Sequence, residues 1–375
     1  MEPAHTLSTD AATDRAAGAF LGMACGMWLA ERTQRVTGTP GRTPARRSQD
    51  DALTQLEAFL AGAATEALHG QRPDARGGPP AFSALATATW QAVLHATLER
   101  TEPTTRLADE PATAALRAAW SSTLGTPVPL QEPAAGRFQA QHLENALRDA
   151  MTASPLVAGM AGALLGARWG ASAVPAAWTR DLLDPRGQRA RDAERIGITT
   201  ARRAVGLSPD DGLGWPSGPG LDLSDWPLAA ALAVHPHDDR VLLGGFRAVV
   251  HPPAGVDAVV SLTRLGRSQW PAPGVAERDH VVVWLADSGH KRNPHLDFVL
   301  HEAAGAVAAL RSEGRTVLIH CVAAQSRTPT VAALYSALHL GVEPRRAVKD
   351  VAAALPGAWP NRHFQAAIRR LVGRA

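Results

Sequence analysis

The segment VLIHCVAAQSRTPTVAALYSALHLG, residues 317–341, holds the residues best suited to chemistry. Five residues separate Cys321 from Arg327, and Thr328 follows directly. An apolar run leads into His320 and Cys321, and Pro329 opens an amphipathic stretch that Gly341 can cap, so the pattern predicts a strand, a short loop and a helix. In such a unit the loop amides and the positive end of the helix dipole converge on one point, which suits an anion such as phosphate. The same field favours thiolate over thiol and makes Cys321 a nucleophile near neutral pH. The planar fork of Arg327 can hold two phosphoryl oxygens and offset the charge of a group in transfer. Val322, Ala323, Ala324, Gln325 and Ser326 between them are phosphate-binding candidates through their backbone amides.

This Cys-x5-Arg-Thr pattern, with His320 before it and WPNRHFQAAI (359–368) downstream, resembles the cysteine-based protein tyrosine phosphatases of the dual-specificity kind. RVLLGGFRAV (240–249) followed by VDAVVSL (256–262) resembles the opening strands and helix of the same domain, and the likeness spans residues 225–375. It implies a phosphatase that hydrolyses a phosphomonoester, on a phosphorylated protein or a small molecule, through a phosphocysteine and without a cofactor or metal. It further implies that Asp287, 34 residues before Cys321 and just after the strand ending at Leu285, is the general acid, and that Thr328 hydrogen-bonds the sulfur as it departs. Asp279, before that strand, and Asp297, at the start of a helix, read as structural. The family usually places glycine three residues after the nucleophile, where this chain has Ala324. If φ is positive there, alanine costs about 1 kcal/mol or more and turnover weakens, which leaves a phosphate-recognition module as the alternative. No cation stands between Cys321 and Arg327, against the habit of family members that act on polyphosphorylated inositols.

The elements that must position these residues change in kind along the chain. Residues 1–13 read as a flexible start. Residues 14–184 are Ala-rich with apolar periodicity at 51–68, 81–99, 112–122 and 138–183, and predict an all-α domain. A charged and then Gly/Pro-rich stretch, 185–224, reads as a linker. Beyond it, short β-rich runs at 240–245, 257–262, 279–285 and 316–320 alternate with helical ones, which predicts an α/β domain over 225–375 with a central, mainly parallel sheet flanked by helices. HPHDD (235–239) reads as a polar turn before the first of these strands.

In the helical half, Gly18, Gly22 and Gly26 recur every fourth residue, as do Gly162, Gly166 and Gly170, so each stretch carries a glycine stripe where another backbone can approach. DRAAGAFLGMACGMWLA (14–30) and SPLVAGMAGALLGARWGASAVPAAW (154–178) resemble the signature helices of the ADP-ribosylglycohydrolases, an all-α family with a two-magnesium site. Asp50 and Asp51 match that family's first acidic pair, but Gln49 and Ala52 replace the flanking threonines, and the later ligand positions fall on Ala153, Pro155 and Leu156. Without those partners a binuclear magnesium centre is not expected. The resemblance therefore implies a degenerate domain, with ADP-ribose or protein binding as its role and magnesium-dependent ADP-ribosyl hydrolysis as the alternative.

Composition closes off other classes. Only Cys25 and Cys321 are present among 375 residues, too few for a disulfide scaffold or a cysteine-held metal, and a reduced, cytoplasmic setting is expected. Against 35 acidic residues stand 38 basic ones, too balanced a ledger to predict binding to nucleic acid or an anionic membrane. The most apolar stretch, residues 16–30, is shorter than the roughly twenty residues a spanning helix needs, and reads as buried.

Overall fold

The computed structural model describes residues 11–37, 111–152, 154–182, 189–204, 208, 210, 215–220, 230–283 and 285–373. Asp50 and Asp51, with Gln49 and Ala52, lie outside the described residues, as do the helical expectations at 51–68 and 81–99. In the first half the described helices are α1 (Ala11–Thr37), α2 (Pro111–Gly125), α3 (Gln141–Ala150), α4 (Pro155–Trp169), α5 (Ala176–Asp181) and α6 (Ala190–Ala204). Their placement follows from α1 and α4, whose glycine stripes face one another. A Cβ added to Gly22 would strike the carbonyl oxygen of Gly162, one on Gly26 that of Ala158, and one on Gly166 that of Gly18. The two helices therefore run antiparallel at backbone contact, which only glycine permits. The periodic stretch 138–183 breaks into three helices: Ser154 caps α4 by accepting from Val157 N–H (3.3 Å), Pro155 opens it, and Gly170, at φ 88°, ends it.

Residues 190–204 form a helix, although their charge reads as the start of a linker. Ala190, Ala193 and Ile198 are buried along one face, a stripe that pins α6 to α1 while the arginines and carboxylates cover the rest.

The second part holds β1 (Leu232–His235), β2 (Asp238–Gly244), α7 (Phe246–Val250), β3 (Ala258–Ser261), β4 (His280–Val282), α8 (Leu296–Ser312), β5 (Val317–His320), α9 (Arg327–His339), α10 (Pro344–Ala354) and α11 (Arg362–Leu371). The five strands form one mixed sheet in the order β1-β2-β5-β3-β4. β1 and β2 are an antiparallel hairpin, whereas β2-β5, β5-β3 and β3-β4 are parallel. The expected turn at 235–239 is that hairpin, and His237 bridges it to Ser336 Oγ (2.9 Å) and Asp350 (3.0 Å). β1 was not legible beforehand, because LAVH sits within an Ala-rich run at a sheet edge.

One buried apolar cluster runs from Leu21 and Leu164 through Phe138 and Phe298 to Ile319 and Val331 beside the sheet. Phe138 and Phe298 meet edge to face at 5.7 Å. Polar clamps reinforce the contact: Glu302 accepts from Ala176 N–H (2.9 Å), and Arg180 binds Asp279 (2.9 Å) and Glu313 (2.5 Å). Asp279 also meets Arg315 at 2.9 Å, and Asp297 takes a bidentate bond from Arg370, so both are structural. Among the described residues no helix is long and apolar enough to cross a membrane.

Candidate active site

β5 is buried at all four positions and lies between two parallel neighbours, which makes its C-terminal end the best-fixed point of the sheet. Cys321 follows it directly and is only 2% exposed; residues 322–326 form the loop and Arg327 begins α9. Pro329 sits in the first turn of that helix, where its missing N–H costs nothing. The strand, loop and helix expected from the sequence are thus present at the expected residues.

The loop's hydrogen bonds are one-sided. Val322 C=O accepts from Phe246 N–H (2.9 Å), Gln325 C=O from Trp359 N–H (2.6 Å) and Ser326 C=O from Thr330 N–H (3.2 Å). The amides from Val322 to Arg327, by contrast, donate to no described residue. Buried or half-buried amides are costly unless bonded, so this row of unused donors forms a cradle that could receive an anion. Ala324 lies at its middle with φ 56°, the one described non-glycine residue in the left-handed region, and it is buried. The strain foreseen for alanine at that position is therefore real.

Arg327 is 5% exposed and fixed between two strand exits: Nη1 donates to Leu262 C=O (2.8 Å) and Leu285 C=O (3.3 Å). Its Nε is buried and has no hydrogen-bond partner among the described residues. The guanidinium is thus oriented by one nitrogen and left with unused N–H at the cradle's edge.

Asp287 is half-buried on the loop after β4, and its Oδ1 accepts from Ser326 Oγ (2.7 Å) and Asn361 Nδ2 (2.6 Å). The structure brings it to the loop's end beside Arg327. Thr328 is fully buried with its hydroxyl 3.5 Å from Gly244 C=O, at the outer limit of a hydrogen bond. No described group of three His, Cys, Asp or Glu side chains is arranged to hold a metal.

Beneath Cys321 runs a buried chain of four hydrogen bonds. Ala272 N–H donates to His280 Nδ1 (2.9 Å), which leaves the proton of neutral His280 on Nε2. That N–H donates to Ser261 Oγ (2.7 Å), whose O–H donates in turn to His320 Nε2 (2.6 Å). His320 then carries its proton on Nδ1 and gives it to Cys321 C=O (3.3 Å). Burial holds the His320 pKa down at about 3, and His280 also lies well below its usual value, so both rings are neutral members of the chain.

Sequence reasoning missed four contributors. Asn361 could be seen as a helix cap, which it is, accepting from His363 and Phe364 N–H, but not as the partner of Asp287. Ser261 and His280 lie on other strands, and their meeting with His320 depends on sheet order. Trp359, 78% exposed, is held beside the loop by its bond to Gln325 C=O.

No family model matches the chain, and no curated protein does. Among solved structures it is similar to human DUSP28, with 24% identity over 38% of this chain and 91% of that one at a TM-score of 0.31. Tk-PTP in its active form matches at 22% identity over 39% of this chain and 97% of that one, with a TM-score of 0.30. The Cydia pomonella PTP-2 phosphatase matches at 22% identity over 38% and 89%, with a TM-score of 0.31.

Proposed function

We propose that the chain is a cysteine-dependent phosphatase whose site lies in residues 225–375. The observation that carries this reading is the set of loop amides directly after Cys321, Val322 to Arg327, that donate to no described residue, beside the buried Arg327 Nε, which has no hydrogen-bond partner among them. The phosphoryl group of a phosphorylated protein or small phosphomonoester rests in that cradle. The Cys321 thiolate attacks phosphorus, an S–P bond forms, and the bond to the leaving oxygen breaks. Asp287, in its acid form, gives that oxygen its proton. Its Oδ1 is occupied by Ser326 and Asn361, so Oδ2 is the oxygen that carries the proton. Water then attacks phosphorus, Asp287 takes one of its protons, the S–P bond breaks, and phosphate leaves with the thiolate restored. Arg327 and the amides hold the equatorial oxygens throughout. Thr328 assists the departing sulfur once its hydroxyl turns from Gly244.

In this reading the helical half is a degenerate ADP-ribosylglycohydrolase-like companion whose Phe138 and Ala176 meet α8. One observation favours a second reading, a phosphate-recognition module with little turnover: the strained Ala324 at the middle of the cradle. Purified protein is assayed with an aryl phosphate in EDTA beside Cys321→Ser. Vanadate-sensitive turnover that the substitution abolishes supports catalysis. Absence of turnover with phosphopeptide affinity retained selects the second reading.

A further inference from the structure

Among the described residues the most exposed large apolar side chain is that of Trp359, at 78%, and its backbone is clamped to the cradle loop. Trp359 N–H donates to Gln325 C=O (2.6 Å), and two residues on, Asn361 N–H donates to Ser326 Oγ (3.1 Å). Pro360 between them has its φ locked by its ring, which holds this stretch to one course along the loop. The Gln325 side chain lies against the same segment: a Cβ on Gly357 would stand 3.7 Å from its Nε2.

Floor and rim of the cradle differ in exposure. Cys321, Ala324, Ser326 and Arg327 are buried, so a phosphoryl group held there lies on a covered floor. Ala323 and Gln325 are the half-buried members of the loop, and neither carries a charge. The segment LPGAWPN, residues 355–361, carries none either. The body of an ester bound through its phosphoryl group must extend from that floor to solvent, and Trp359 stands at the exposed level it reaches. A phosphoseryl ester places a single methylene next to its bridging oxygen. An aryl ester places a flat ring there, and two rings attract each other in stacked or edge-to-face order beyond the area they bury.

We propose that Trp359 determines specificity: its indole packs against the ring of an aryl phosphate, so that phosphotyrosyl and other aryl esters bind in preference to phosphoseryl ones. The inference rests on the phosphatase reading for the place of the phosphoryl group. The clamped backbone already fixes the root of the side chain, so binding has only the two indole torsions to order, a small entropic cost for a large contact. The uncharged rim favours the same body, since it offers no cation to a second anionic group.

Isothermal titration of the full chain carrying Cys321→Ser, which prevents turnover, with phenyl phosphate, O-phosphoserine and inorganic phosphate tests the assignment. Phenyl phosphate is expected to bind more tightly than the other two and to be displaced by inorganic phosphate. Adding Trp359→Ala should weaken phenyl phosphate about fivefold and leave inorganic phosphate unchanged, while Trp359→Phe keeps most of the preference. The side chain is exposed, so neither variant disturbs the core. Equal affinity for phenyl phosphate and O-phosphoserine overturns the proposal. So does a Trp359→Ala variant that keeps the preference, or that loses inorganic phosphate to the same degree. If inorganic phosphate does not bind before Trp359 is changed, the cradle itself fails, and the proposal with it.

Discussion

Ser261→Ala removes the one hydroxyl that links His280 to His320. Ser261 is fully buried, and its Oγ bonds both rings, at 2.7 and 2.6 Å. The variant strands two polar atoms where water does not reach: the Nε2–H of His280 loses its acceptor, and Nε2 of His320 loses its donor. Tautomer exchange cannot repair the loss. His280 Nδ1 is already fixed as an acceptor by Ala272 N–H, and His320 Nδ1 must remain a donor to Cys321 C=O. Each stranded buried group costs about 1–3 kcal/mol, which puts the total near 3 kcal/mol once partial relaxation of one ring is allowed. Urea unfolding of wild type and variant, compared through the shift in midpoint at unchanged slope, gives the difference directly. A loss below about 1 kcal/mol would refute the chain of hydrogen bonds as assigned. Imidazole ¹⁵N spectra supply an independent check, since wild-type His320 should carry its proton on Nδ1 and His280 on Nε2.

The same histidines make the protein acid-sensitive. An unfolded histidine takes up a proton below pH 6.5, whereas folded His320 resists it down to about 3, so stability is full above 6.5 and falls across that window by up to about 5 kcal/mol from this residue. Midpoints measured from pH 7.5 to 4 should decline, and a flat profile would contradict a neutral buried His320. Ala324→Gly relieves about 1–2 kcal/mol of left-handed strain but gives up about 0.8 kcal/mol of methyl burial and up to about 1 kcal/mol of unfolded-chain entropy, so its net effect on stability should lie within about 1 kcal/mol of zero. Ala323→Gly, without positive φ, should be the more destabilising of the two; the reverse order would show that Ala324 is unstrained. Gly22→Ala drives a methyl into the Gly162 carbonyl and should cost about 3 kcal/mol as α1 and α4 separate, which a thermal melt will show as a clear drop in Tm.

Much of the cradle was legible from the chain alone because its parts are local. Cys321, the five loop residues, Arg327 and the opening of α9 are contiguous, and strand, turn and helix propensities act over that same short range. The strain at Ala324 could be foreseen only through the resemblance to phosphatases that place glycine there, whereas the glycine stripes follow from a four-residue spacing that already places those residues on one face. What the tertiary structure alone decided is every meeting across sequence distance. Asp287 lies 34 residues from Cys321, and only its bonds to Ser326 and Asn361 show which of its oxygens is available. Ser261, His280 and His320 converge because β3 lies between β4 and β5, an order that no local pattern encodes. The helix at 190–204 was hidden by its charge, and its three-residue apolar stripe gained meaning only against α1. Hydrophobic burial is non-directional and long-ranged along the chain, so it set the shared core that runs from Leu21 to Val331.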